Sequence, residues 1–220
     1  LLFVCRLAVD KNALAFLEIA RKLLAKAEGA QPVYVLVAGT GRQAPEFERA
    51  FREDPLLSKH GRYLGFRSDV PALLKLCTVS ASTSLQEGFG LRVLESLAVG
   101  RPCVSYAVGG IPEVMDLPEA RPWLVEPGNA DAFAQALLDV LQAPQSELDA
   151  LDGTLRRYSQ RFDLDRQIDE MHAFYEEIFA KVAGTGLSEG AAVLAGGLDP
   201  RFRGGIGALS MEMSGTSGTT

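Results

Sequence analysis

The chain has 220 residues, 47% of them hydrophobic and 23% charged, with a net charge of -6 and a pI near 5.1. This is a globular composition with enough apolar residues for a sizeable core, and its acidity argues against a general nucleic-acid binder, which would carry a basic face. No apolar run reaches the length of a membrane span, and the opening residues do not read as a signal peptide. Cys5, Cys77 and Cys103 form no CxxC pair and sit beside apolar runs, which suits reduced, buried thiols in the cytoplasm better than disulfides or zinc.

Strand-like and helix-like runs alternate along the chain. LLFVC (1–5) reads as a strand. It begins without Met inside an apolar run, so the chain is expected to be cut from something longer, with an upstream domain missing. Residues 12–27 follow as a helix, with Leu14, Leu17, Ala20 and Leu24 at helical spacing. VYVLVAG (33–39) is an unbroken apolar strand, as expected of one buried on both faces. Residues 45–52 read as a helix, GRYLGF (61–66) as a short strand, and Asp69 as the cap of a helix over 70–76. TVSAST (78–83) is a fourth strand, a helix covers about 90–98, and PCVSYA (102–107) is a fifth strand. Ile111-Pro112 opens a short helix. WLVEPG (123–128) is a sixth strand, and Asn129 or Asp131 caps a helix over 131–142. Helices over about 145–160 and 165–182 complete the ordered part; the last carries Ile168, Met171, Tyr175, Ile178 and Val182 on one stripe that wants a surface to cover. Residues 184–220 are rich in Gly, Ser and Thr and are expected to be disordered.

The alternation predicts an α/β fold, a Rossmann-like doubly wound parallel sheet, whose ligands bind at the carboxyl ends of the strands. The turns after the strands are therefore where chemistry is sought. The segment SLQEGFGLRVLESLAVGRP (84–102) stands out, with Glu87 and Glu95 eight positions apart around Gly88-Phe89-Gly90. On a helical wheel Leu91, Leu94, Glu95 and Ala98 share a face, which places Glu95 on the apolar stripe, where a buried carboxylate needs donors such as ligand hydroxyls. The glycine-flanked turn offers backbone N–H groups and the positive end of a helix dipole to an anion. Glu87, at its rim, is an acceptor for sugar hydroxyls or a support for developing positive charge. Taken alone, Glu87 reads equally as a solvated rim residue; the pair around the turn favours a binding role.

In CRLAVDKN (5–12), Arg6 and Lys11 lie near the carboxyl end of the first strand, where two cations can neutralise a diphosphate, although either alone reads as a solvated surface charge. The glycines of AGTGRQ (38–43) and GGIPEVM (109–115) allow close backbone approach to a ligand, or simply shape tight turns. His60 and His172 are isolated, and neither a metal-ligand cluster nor a GxSxG nucleophile is found.

Together these segments resemble the C-terminal, donor-binding half of retaining glycosyltransferases of the GT-B fold, the group 1 or family 4 class. CRL…DKN is similar to that family's GRL…KG segment and VYVLVAGTG to its strand ending in GxG. YLGFRSDVPALLKLCTVSASTS is similar to its LG…PS stretch, EGFGLRVLE to its E-x7-E motif, and LAVGRPCVSYAVGGIPEVM to its AxGxPV…GGxxE run. The resemblance covers about residues 1–182 and departs from the pattern at Cys5 and Asn12, where the family has glycines. It implies a nucleotide-sugar-binding domain over 1–183 that acts in sugar transfer with retention, using a nucleotide-sugar donor as substrate, with no cofactor and no metal. Arg6 and Lys11 would bind the donor diphosphate. Glu87 would meet the sugar near the anomeric centre, the backbone of Gly88, Phe89, Gly90 and Leu91 would meet sugar and phosphate, and Glu95 would hold the ribose hydroxyls. The acceptor-binding N-terminal domain would be missing, leaving this chain inactive alone, and peripheral membrane contact would run through that domain. A non-catalytic GT-B-like partner module and a sugar-nucleotide epimerase are the alternatives.

Overall fold

The computed structural model describes residues 1–29 and 32–184. Six short strands pair in parallel in the order β3-β2-β1-β4-β5-β6: β1 (Leu2–Val4), β2 (Val35–Ala38), β3 (Gly61–Tyr63), β4 (Ser80–Ser82), β5 (Cys103–Tyr106) and β6 (Leu124–Val125). Phe3 pairs with Val37 on one side and Ala81 on the other, so β1 is central and the strand order reverses between β1 and β4. The expected Rossmann-like sheet is present.

The central strand shows how the sheet is covered on both faces. Phe3 points to α1 (Ala13–Lys26), where its ring stacks on Phe16 with centroids 4.0 Å apart. Its neighbour Leu2 points the other way and clusters with Ala38 and with Leu73 and Leu74 of α4 (Val70–Leu76). This period of two along a strand apolar on both sides is what a doubly wound sheet requires. α7 (Ala130–Gln142) packs on the same side as α1 and sets Phe133 edge-on to Tyr106, 5.1 Å between centroids.

Most element boundaries fall within two or three residues of those read from the sequence. α2 (Ala44–Glu53) is followed at once by α3 (Pro55–His60), which the sequence reading lacks. Asp54 accepts from the backbone N–H groups of Leu56 and Leu57, both at 3.0 Å, and Pro55 sits at the first helical position. Asp-Pro is thus a start signal in the sequence itself. Asp69, expected as a cap, makes no cap bond; Arg67 takes its carboxylate at 2.6 and 2.8 Å. Of the two cap candidates before α7, Asn129 caps, accepting from the Ala132 N–H at 3.0 Å, while Asp131 pairs with Lys22. The short α6 (Ile111–Val114) and α8 (Gln145–Ser159) form where expected, and Trp123 belongs to a 3-10 helix (Pro118–Trp123) rather than to β6.

The chain divides into two units, Leu1–Arg161 and the residues from Phe162 on. In the second, α9 (Leu164–Gly184) leaves Ile168, Met171, Tyr175 and Ile178 exposed. The side chain of Val182 and the expectation for the tail beyond Gly184 lie outside the described residues.

Candidate functional site

The site lies where the strand order reverses, the position at which sheets of this kind open a crevice. β1 and β4 pair only as far as Phe3 and Ala81, and the chains then part. After β1, residues 5–8 lead into one 3-10 turn, Val9–Lys11, and a left-handed corner at Asn12 (φ 48°) that starts α1. Asparagine is among the few side chains that tolerate this conformation, which accounts for Asn12 at a position where the sequence pattern would put glycine. After β4, residues 83–90 run to α5 (Leu91–Ala98), whose N-cap Gly90 has φ 92°.

Lys11 and Glu87 meet across this crevice. Lys11 Nζ donates to Glu87 Oε1 at 2.6 Å, and Ser84 Oγ donates to the same oxygen at 2.9 Å. Both charged side chains are largely covered, at 25% and 18% exposure. Oε2 of Glu87 takes no hydrogen bond among the described residues. Immediately beyond, the amides of Leu91, Arg92 and Val93 open α5 and have no partner inside the helix, so they present donors and the positive end of the helix dipole.

The remaining candidates fall elsewhere. Arg6 is exposed and turned onto Asp10, Nη2 to Oδ2 at 2.6 Å, and this guanidinium holds the Asp10 carboxyl below its ordinary range. Glu95 is not on a buried stripe. Leu91, Glu95 and Ala98 are exposed, Glu95 pairs with Arg92 at 2.5 Å, and the buried face of α5 is Val93, Ser96 and Leu97. The helix is apolar on both sides, and the wheel selects the wrong one because Ser96 reads as polar. Ser96 is fully buried instead, 2.7 Å from Ser80 Oγ and 3.1 Å from the Arg101 carbonyl.

Both glycine loops have a structural explanation. A Cβ on Gly39 would lie 1.9 Å from the Cys5 carbonyl oxygen, and one on Gly41 2.3 Å from that of Leu7. On the other side, a Cβ on Gly109 would lie 1.8 Å from the Glu87 carbonyl oxygen and one on Gly110 2.3 Å from that of Gly88. The glycines clamp the site loops backbone to backbone. Of the cysteines, Cys77 and Cys103 are buried and Cys5 half-buried, and burial pushes the Cys5 thiol up to about 12. Sequence reasoning missed Thr83, Ser84, Asp10 and Arg92; the one available signal was a run of small polar residues ending a buried strand.

Two clefts, of about 430 and 350 Å³, lie away from this crevice, one lined by Leu14, Arg21 and Glu46, the other by Trp123, Val140 and Leu148. Neither cleft is lined by Lys11, Glu87 or the start of α5. Among the described residues no three His, Cys, Asp or Glu side chains gather to hold a metal, and no helix is long and apolar enough to cross a membrane.

A family model described as "Glycosyl transferases group 1" matches residues 1–143. The chain belongs to this family. It is 32% identical over 137 residues to the UDP-Gal:alpha-D-GlcNAc-diphosphoundecaprenol alpha-1,3-galactosyltransferase of Escherichia coli, covering 62% of this chain and 35% of the relative. It is 28% identical over 175 residues to the putative glycosyltransferase EpsD of Bacillus subtilis, covering 80% and 44% respectively. The fold of this group 1 chain matches S. aureus TarM, solved with UDP, at a TM-score of 0.66 and 21% identity over 77% of this chain and 34% of TarM. Anabaena HepE, in complex with UDP and glucose, gives 0.63 and 22% over 78% and 47%. The sheet is thus the Rossmann-like α/β layer of GT-B glycosyltransferases. The chain spans well under two thirds of the length of these relatives.

Proposed function

We propose that this chain is the donor-binding half of a cytoplasmic hexosyltransferase. The whole enzyme moves a sugar from a nucleoside diphosphate sugar to an acceptor with retention, and a second half binds the acceptor. The observation that carries this reading is the Lys11–Glu87 pair at the β1/β4 crevice beside the start of α5. The carriage of UDP by HepE and TarM supports it.

In this reading the diphosphate lies over the α5 N-terminus, where first-turn amides and the helix dipole favour an anion. An ammonium has three donors, so Lys11 can keep Glu87 and reach a phosphate oxygen at once. Glu87 Oε2 takes a hydroxyl of the sugar and its charge favours the positive charge that develops at the anomeric carbon. The same amides and Lys11 stabilise the leaving diphosphate, which is stronger in the transition state than in the bound donor. Arg6, paired with Asp10 and open to water, adds little attraction of its own, and Glu95, exposed on the outer face of α5, takes the ribose hydroxyls. No metal is needed for these contacts.

The test is calorimetric titration of the folded chain with UDP, GDP and ADP and their hexose conjugates, with and without chelator. Binding of at least one, unchanged by chelator and weakened at least about tenfold by Lys11→Ala, is the expected result. A folded chain that binds none of them refutes the reading. The exposed stripe of α9 favours a second reading, a partner-binding module without catalysis; transfer by the full-length enzyme that Glu87→Ala abolishes excludes it.

A further inference from the structure

The geometry points to Thr83 as a positioning residue that aims Lys11 at the bound diphosphate, an inference that rests on the donor-binding reading above. Thr83 is 1% exposed at the floor of the crevice. Its hydroxyl lies 3.1 Å from the carbonyl oxygen of Lys11 and 3.2 Å from that of Asn12, and shares its one proton between them.

The segment that carries Lys11 is anchored differently on its two sides. Toward β2, the Leu7 N–H donates to Thr40 and the Leu7 carbonyl accepts from Gln43, at 2.9 and 3.0 Å, with Gly39 and Gly41 pressed on the same backbone. Toward β4, strand pairing has already ended at Phe3 and Ala81. The span from β4 to Lys11 and Asn12 is bridged by the Thr83 hydroxyl and by the Lys11–Glu87 pair itself. A bound diphosphate shares that ammonium, because Lys11 keeps Glu87 on one N–H and turns another to the phosphate, so the ligand pulls on the segment that carries it. The corner at Asn12 keeps its local shape through the Asn12 N–H bond to Val9 and the Ala15 N–H bond to Asn12, and the Thr83 hydroxyl ties that corner across to the end of β4, which sets the direction in which Lys11 leaves the backbone. A valine methyl in place of the hydroxyl keeps the volume and leaves the Lys11 carbonyl without that donor, cutting the corner's tie to β4.

The experiment titrates the full chain and its Thr83→Val, Thr83→Ser and Thr83→Cys variants with UDP, GDP and ADP, each beside its nucleoside. Thr83→Val weakens the diphosphate that binds the wild type by about tenfold, the loss of one buried hydrogen bond converted to affinity, while its nucleoside binds unchanged. Thr83→Ser restores the affinity. Thr83→Cys, with a weak S–H donor, falls between, and it decides the matter if the valine variant does not fold. Equal weakening of nucleoside and diphosphate, or failure of serine to restore binding, shows a general structural role and overturns the proposal. A wild type that binds diphosphate and a folded Thr83→Val that binds it equally overturn the role of Thr83 alone. A wild type that binds none of the three overturns the donor-binding reading and this role with it.

Discussion

Gly109→Ala measures how tightly the site loops are clamped. A Cβ built on Gly109 sits 1.8 Å from the carbonyl oxygen of Glu87, whereas carbon and oxygen in contact need roughly 3.3 Å. One loop must therefore retreat by about 1.5 Å (3.3 − 1.8), and the atom it retreats from is backbone, which cannot swing aside as a side chain does. Gly109 also has φ +53°, a left-handed conformation that costs an L residue about 1–2 kcal/mol. The retreat breaks the Gly110 N–H bond to the Glu87 carbonyl at 3.3 Å, worth about 1 kcal/mol. The sum is about 2–3 kcal/mol, or roughly 4–12 °C in melting temperature for a unit of this size. Gly128→Ala is the control, because Gly128 has φ +85° and nothing within 4 Å of the added carbon. It carries the conformational cost without the clash and should shift melting by about half to two thirds as much. Thermal unfolding followed by circular dichroism gives both numbers, and nucleoside diphosphate titration should show weaker binding for Gly109→Ala only. If both variants melt alike, the Glu87 loop is not clamped by Gly109 and the argument is wrong.

Ser96→Ala deletes a fully buried hydroxyl that bonds Ser80 Oγ at 2.7 Å and the Arg101 carbonyl at 3.1 Å; chemical denaturation should show a loss of about 1–3 kcal/mol. Cys5 should alkylate slowly despite being only half-buried. Burial raises its thiol to about 12, so at pH 8 only about one molecule in ten thousand carries the reactive thiolate. Iodoacetamide labelling followed by mass spectrometry should therefore accelerate as pH rises from 8 to 10, and labelling as fast as that of a small-molecule thiol at pH 8 would contradict the burial.

Apolar runs and their alternation made the sheet, its parallel sense and the carboxyl-edge location of the site legible, because strands buried on both faces leave an unbroken signal. β1 is the clear case, with Phe3 and Leu2 serving opposite faces. The pairing of Lys11 with Glu87 was only partly legible. Each residue stood out as a charge beside a turn, but 76 positions separate them and no local rule brings them together. Glu95 was misplaced for a specific reason. α5 has Leu91 and Leu94 on one side and Val93 and Leu97 on the other, so periodicity cannot choose between them, and the decisive residue was Ser96, whose burial depends on Ser80 in another element. The roles of Gly39 and Gly109 are likewise non-local, since their constraint is the backbone of Cys5 and Glu87.

The charge arrangement around the crevice bears on how a dianion would be held. Arg6 pairs with Asp10, Lys11 with Glu87, and Arg92 with Glu95, so each of these three cations already faces a carboxylate. The pairs of Arg6 and Arg92 are about half-exposed and are screened by water and salt, which makes them weak in themselves and also weak at long range. The Lys11–Glu87 pair is the covered one, where the same Coulomb attraction acts through a lower effective dielectric. The helix start, by contrast, carries partial positive charge with no carboxylate on its amides, and its geometry is fixed by Gly90 and by the clamp of Gly109 and Gly110 on the preceding turn. On the donor-binding reading, affinity for the diphosphate rests mainly on those amides and on the donors that Lys11 retains. It follows that the clamps matter as much as the charges, because amides aimed by a rigid turn need no reorganisation when the leaving group develops its charge.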